Sequence, residues 1–352
     1  MESEKTIMAY LAGVMDGDGS FGLTRLTKLS RNLQYRPELQ CCKVRKEFLE
    51  LLQTTFGGYL MTGKIHICKD GTEGQALTTW KLQSSGNVKP ALEKLIPYLV
   101  IKKDRAVLLL DFINNNPFER GKILSPEILR QREKAYLEIV QLNDWVSQSS
   151  KITTVLAKDN TDNELFWAYV AGLMDTDGSF SVKRQMQNKG TDVKNPRYLP
   201  VISLGMVDAR GINYIRENCN IGKFYVPTHR DTKKGIFYLF GIYTKKECIA
   251  FLQRIIPYLR SKKLNAQVLL NFCVNAKNTG YCRAGIPKEE LAFRDKCYQI
   301  LCELNKYGVS KSPLIVLEPL PDNAGGNKEQ AGFMPCSLNA VSEETSKDDA
   351  VL

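Results

Sequence analysis

The spacing of apolar positions changes period several times along the chain, and each change marks an element. Residues 6–15 carry apolar side chains at helical spacing. The stretches 20–29, 38–44, 58–69 and 77–84 instead alternate apolar and polar residues, punctuated by Gly or Asp-Gly, as strands of an antiparallel sheet do. Helical spacing returns over 46–54, 88–99, 103–114 and 126–142. The same order recurs in the second half of the chain, which predicts an α+β fold class.

The recurrence extends to the residues themselves. YLAGVMDGDGSF at 10–21 returns as YVAGLMDTDGSF at 169–180, and LIPYLVIKKDRAVLLLDF at 95–112 returns as IIPYLRSKKLNAQVLLNF at 255–272. RQREKAYLEIVQLN at 130–143 is matched by AFRDKCYQILCELN at 292–305, so the separation drifts only from 159 to 162 residues. Near-constant spacing over three blocks means two copies of one unit, related as the subunits of a two-fold dimer would be. The first domain is placed at 1–144, a Ser-, Thr- and Asn-rich linker at 145–163 and the second domain at 164–312. Residues 313–352 are rich in Pro, Gly, Ser and acids, and are expected to be a disordered tail.

Charge narrows the function. The 352 residues carry a formal net charge of +11, yet the segment from Pro313 holds seven acids and two bases, leaving 47 bases against 31 acids before it. Such an excess points to a polyanionic partner. Ten scattered cysteines without a CxxC pair suggest neither a zinc site nor a disulfide framework. With only His66 and His229 present, a histidine-based triad or metal site is also disfavoured, so any metal must be held by carboxylates. No run of eighteen apolar residues and no basic, apolar leader appears, and a soluble, non-secreted protein without a membrane partner is expected.

The repeated box at 10–21 and 169–180 carries the chemistry. Ala12 and Gly13, with Ala171 and Gly172, are small residues that let two helix backbones approach closely. Each helix then ends in Asp-x-Asp-Gly, at Asp16–Gly19 and Asp175–Gly178, where carboxylates oppose the helix dipole. A cation would relieve that conflict. If the helices pack side by side, Asp18 and Asp177 converge in an oxygen-rich cluster suited to Mg²⁺, with Mn²⁺ as a substitute.

Both boxes resemble the LAGLIDADG motif, and their order and spacing resemble the double-motif, single-chain members of the homing endonuclease family over about residues 6 to 307. The resemblance implies two pseudo-symmetric αββαββα domains forming a saddle of antiparallel sheets, with the motif helices at the domain interface. It also implies a monomer that makes a staggered double-strand break in a long DNA target, in keeping with intron homing. By the same resemblance Asp18 and Asp177 ligate the divalent ions, helped by the backbone carbonyls of Gly17 and Thr176. Lys102 and Lys262, after the Pro-Tyr-Leu segments, fall where the family keeps a catalytic lysine. A further polar pocket position falls near Lys43 in one half and Asp208 in the other, and that dissimilar pair points to two sites of unequal rate.

DNA contacts are expected along the strands. Arg25, Lys28 and Arg31 follow the first box, and Lys183, Arg184, Gln185, Gln187 and Lys189 follow the second. These are side-chain types that read base edges in the major groove. Lys64, His66, Lys69, His229, Arg230 and Lys233 lie on later strands. The alternatives are an intron maturase, whose partner would be the host intron RNA, and a catalytically silent DNA-binding regulator. Intact Asp18 and Asp177 argue against both, since neither needs metal-binding carboxylates.

Overall fold

The computed structural model describes residues 2–26, 34–64, 76–116, 124–143, 163–186, 196–227, 237–277, 286–307, 315–319 and 336–340. The first half runs α1 (Glu4–Asp18), β1 (Gly19–Leu26), β2 (Gln34–Lys43), α2 (Glu47–Phe56), β3 (Tyr59–Thr62), β4 (Thr78–Gln83), α3 (Ser85–Leu95), α4 (Lys103–Asn115) and α5 (Pro126–Asn143). The second half repeats it as α6 (Glu164–Thr176), β5 (Gly178–Met186), β6 (Pro196–Met206), α7 (Ala209–Asn218), β7 (Lys223–Tyr225), β8 (Tyr238–Ile242), α8 (Lys245–Ile255), α9 (Lys263–Asn275) and α10 (Lys288–Tyr307). Each half builds one four-stranded antiparallel sheet, in the orders β1-β2-β4-β3 and β5-β6-β8-β7. The expected α+β class and duplicated αββαββα order are what the chain adopts.

Strand parity decides which face each side chain occupies. Phe21, Leu23, Leu39, Cys41, Trp80 and Leu82 lie on the covered face of the first sheet, packed with Leu92, Leu109 and Phe112 of α3 and α4. The opposite face carries Thr24, Arg36, Gln40, Lys81 and Gln83, half-buried or exposed. Its counterpart in the second half carries Lys183, Gln185 and Arg197.

Register also aligns the two halves. Gly19 lies opposite Cys41 in the first sheet, and Gly178 lies opposite Leu204 in the second. Cys41 and Leu204 are therefore equivalent. Two residues on, Lys43 corresponds to Met206, and four residues on, Arg45 corresponds to Asp208. The expected pairing of Lys43 with Asp208 is therefore two residues off register, because the loops joining the paired strands differ in length between the halves.

The first helix is started by Ser3, whose side chain accepts from Thr6 N, and α6 by Asn163, which accepts from Leu165 N. Helices α1 and α6 pack backbone to backbone. A Cβ on Gly13 would overlap the Tyr169 carbonyl, and one on Gly172 would overlap that of Tyr10. Here a mid-helix glycine, which costs about 1 kcal/mol relative to alanine, is what permits the approach. Arg45 ties the first half to the second, donating to Ser261 O at 2.8 Å and Leu304 O at 2.7 Å.

Two short stretches of the acidic tail lie within the described residues. Ile315–Pro319 and Cys336–Ala340 form an antiparallel ribbon, β9 with β10, in which Leu317 is the register partner of Leu338. The local run Ile315-Val316-Leu317 is strongly strand-forming. The proposed linker lies almost wholly outside the described residues. Among the described residues, no helix is long and apolar enough to cross a membrane.

Candidate active site at the helix seam

The two aspartates of each box do different work. Asp16 is only 1% exposed and is wrapped by the turn before α4, accepting from the backbone N–H groups of Val100, Ile101 and Lys102 at 2.8, 3.0 and 2.7 Å. Asp175 is likewise buried and accepts from Arg260, Ser261 and Lys262 N–H at 2.7, 3.1 and 2.8 Å. The Tyr169 hydroxyl donates across the seam to Asp16 at 2.9 Å, and the Tyr10 hydroxyl donates to Asp175 at 2.8 Å. Burial raises the Asp16 carboxyl above the usual range, with the three N–H bonds opposing it, and raises both tyrosines well above theirs. The first aspartate of each box is thus an anchor, a role the sequence reading did not assign. Its signal was present in the equally repeated Pro-Tyr-Leu-x-x-Lys-Lys segments that supply the N–H groups.

Lys102 and Lys262 close the helix ends. Lys102 Nζ donates to the carbonyls of Met15, Gly17 and Gly19 at 3.0, 2.8 and 2.7 Å. Lys262 Nζ donates to those of Met174, Thr176 and Gly178 at 3.0, 3.0 and 2.6 Å. An ammonium has three donors, so each lysine is saturated. The carboxylates at the helix C-termini thus have a positive charge beside them, and in this arrangement all three donors of each lysine are engaged by carbonyls. Burial lowers the pKa of Lys102; burial, then the nearby Lys43, lowers that of Lys262 to about 8.

Asp18 and Asp177 meet where the two helices end, on the wall of one cavity of about 580 Å³. Gly17, Ser20, Lys102 and Arg105 line it from the first half, and Gly205, Met206, Asp208 and Phe237 from the second. Asp177 is exposed as a residue, but its carboxyl is packed against the seam, and burial, then the charge of Asp18, holds it above the usual range. Lys43 Nζ stands 2.5 Å from Asp18 Oδ2, a charge contact rather than an aligned hydrogen bond, and donates to Thr176 O at 3.0 Å. Asp208 caps α7 by accepting from Arg210 N and also pairs with the Arg210 guanidinium at 2.8 Å. Arg105, which sequence reasoning missed, adds a guanidinium to the cavity wall.

This donor set fits a hard divalent cation. Among the described residues no three His, Cys, Asp or Glu side chains gather into a cage. Side-chain ligation is therefore limited to the two aspartates, and further oxygens must come from backbone carbonyls, water or a substrate phosphate, the pattern Mg²⁺ accepts. The Gly17 and Thr176 carbonyls each retain a lone pair beyond their lysine bonds, except where Lys43 engages Thr176. An ammonium already bridging Asp18 and Thr176 shows that a positive charge is accommodated at these oxygens.

The expected DNA-facing residues divide into three groups. Lys64 is exposed beyond β3, and Lys183 and Gln185 are exposed on the open sheet face. Arg25 and Arg184 are also exposed but have carboxylate neighbours. By parity they share the covered face with Leu23 and Val182, and they turn to the helix layer, Arg25 to Glu133 and Arg184 to Asp295, each at 3.7 Å. Tyr35 and Tyr198 donate to the same two carboxylates, so the arrangement is repeated in both halves. Lys28, Arg31, His66, Lys69, Gln187, Lys189, His229, Arg230 and Lys233 lie outside the described residues.

No family model matches the chain, and no curated protein sequence does. Solved structures do. The chain is similar to I-SmaMI bound to uncleaved DNA target in the presence of calcium ions, at 15% identity and TM-score 0.55, covering 85% of this chain and 99% of that one. It is similar to the I-LtrWI LAGLIDADG homing endonuclease bound to target DNA, at 15% identity and TM-score 0.55, covering 84% and 97%. It is also similar to the LAGLIDADG homing endonuclease I-GzeII in complex with DNA target, at 13% identity and TM-score 0.56, covering 83% and 97%. The chain therefore has the two-domain fold of single-chain LAGLIDADG homing endonucleases, and the resemblance carried by its two boxes holds at the level of the whole fold.

Proposed function

We propose that this chain is a site-specific DNA endonuclease of the LAGLIDADG homing type, making a staggered double-strand break in a long duplex target by Mg²⁺-dependent phosphodiester hydrolysis. The observation that carries the reading is the meeting of Asp18 and Asp177 at the ends of two packed helices, on one cavity open to a phosphate. The basic excess of the chain and the DNA-bound state of the similar structures support a duplex partner.

Asp18 and Asp177 would hold the ions, with the Gly17 and Thr176 carbonyls as further ligands. When bound, divalent ions supply the charge that makes a water nucleophilic and that stabilises the leaving 3′-oxygen. The chain's own residues prepare this. Lys102 and Lys262 fix the carbonyl oxygens in place, and Asp16 and Asp175 fix the lysine-bearing turns against the helices. Arg105 presents positive charge to a phosphate entering the cavity. The open faces of both sheets, with Arg36, Gln40, Lys81, Lys183, Gln185 and Arg197, offer the side-chain types that contact phosphates and base edges.

The test is cleavage of a randomised double-stranded DNA library in Mg²⁺ by the wild type, Asp18→Asn and Asp177→Asn. Cut products with short overhangs from the wild type, reduced to nicks or nothing by each substitution, support the reading. Binding without cutting in all three proteins would overturn it.

A further inference from the structure

Building on the metal-dependent reading, we propose that Lys43 is a resident cation that competes with a divalent ion for the Asp18 end of the seam, so that the chain takes up its first ion at Asp177. The Lys43 ammonium bridges Asp18 Oδ2 and the Thr176 carbonyl, which are one carboxylate and one carbonyl of the ligand set assigned above. Because Asp18 Oδ2 receives no aligned hydrogen bond, the contact is held by charge. A divalent ion offers twice that charge to the same oxygens.

Nothing equivalent guards the other end. The register counterpart of Lys43 is Met206, an uncharged thioether on the cavity wall. Among the described residues no ion pair engages the Asp177 carboxylate. Lys102 and Lys262 do not even out the difference, since both are saturated by backbone carbonyls in the same way. Among the differences between the two halves at the seam, Lys43 against Met206 is the one that puts an ammonium on one of the two aspartates. Filling the Asp18 end requires the ammonium to leave, and an arriving duplex phosphate is the group whose charge would draw it away.

The experiment is a Mn²⁺ titration followed by electron paramagnetic resonance, without DNA, on the full chain and on Lys43→Met, which gives both halves the same residue. Lys43→Gln keeps a polar side chain without the charge, and thermal melts verify that both variants fold. Expected for the wild type is one Mn²⁺ abolished by Asp177→Asn. Lys43→Met and Lys43→Gln should each gain a second Mn²⁺, or bind it about tenfold more tightly, and lose it again when Asp18→Asn is added. Equal Mn²⁺ binding in wild type and both Lys43 variants, with the Asp177 dependence intact, would overturn the role of Lys43 and leave the endonuclease reading standing. The same gain from Lys46→Met, an exposed lysine three residues on, would reduce the effect to net charge and overturn it too. Mn²⁺ binding insensitive to both aspartates in every variant would overturn the metal-dependent reading and this inference together.

Discussion

The hydroxyl of Tyr10, in the first half, donates to Asp175 Oδ2, in the second, at 2.8 Å, and Tyr169 returns the bond to Asp16 at 2.9 Å. Each half thereby finishes the anchor of the other. Tyr10→Phe removes one buried, charge-assisted bond while leaving the three N–H donors on Asp175, and is expected to cost about 1–3 kcal/mol. Tyr169→Phe should cost a similar amount. Urea denaturation of both variants measures this, and a loss near zero would mean that the N–H groups alone suffice.

Gly13→Ala and Gly172→Ala each place a methyl on a carbonyl oxygen of the facing helix. Overpacking of backbone against backbone costs about 1–3 kcal/mol or more, and these two are expected at the upper end. Gly86→Ala is the control. Nothing lies within 4 Å of its added methyl, so its stability should stay level or rise by about 0.4–1 kcal/mol. Melting midpoints of the three variants decide the matter.

Lys102→Met and Lys262→Met distinguish a helix clamp from a lysine that acts on water. A clamp leaves three carbonyls short of a donor, so stability should fall by about 1–3 kcal/mol together with cleavage. A lysine that served chemistry alone would leave the denaturation curve unmoved.

Arg25 and Arg184 are paired with carboxylates of the helix layer, whereas Arg36 and Arg197 stand on the open faces. Salt-dependent fluorescence anisotropy with a duplex should show the log–log slope reduced by about 0.9 for each phosphate left without its cation in Arg36→Ala or Arg197→Ala. Arg25→Ala and Arg184→Ala should leave the slope unchanged, with a stability change of about 0–1 kcal/mol for these partly exposed pairs. Equal slopes for all four would place Arg25 and Arg184 on the DNA-facing surface with the others.

The duplicated order of elements was legible because period and repetition are properties of sequence alone, and the meeting of the two boxes followed from Gly13 and Gly172. Two further facts were legible in principle. Residues two apart on a helix point to nearly opposite sides, which separates buried Asp16 from Asp18, and period two places Arg25 with Phe21 and Leu23 rather than with Thr24. The equivalence of Lys43 with Met206 was not legible. It depends on which residues pair across β1–β2 and β5–β6, and unequal loops hide that pairing from a sequence offset. Nor could the lysines' partners be read, because backbone carbonyls leave no mark on composition.

One small difference at the seam has a larger effect than its size suggests. Gly17 leaves the space that Thr176 fills, and a Cβ at residue 17 would collide with the threonine side chain. Thr176 in turn ties its hydroxyl back to Leu173 O at 2.9 Å, so it does not swing aside freely. A threonine-bearing helix consequently accepts a glycine-bearing partner and rejects its own kind. Gly17→Thr would set two threonines against each other and is expected to lower the melting midpoint. At this point of the seam the two halves have ceased to be interchangeable parts.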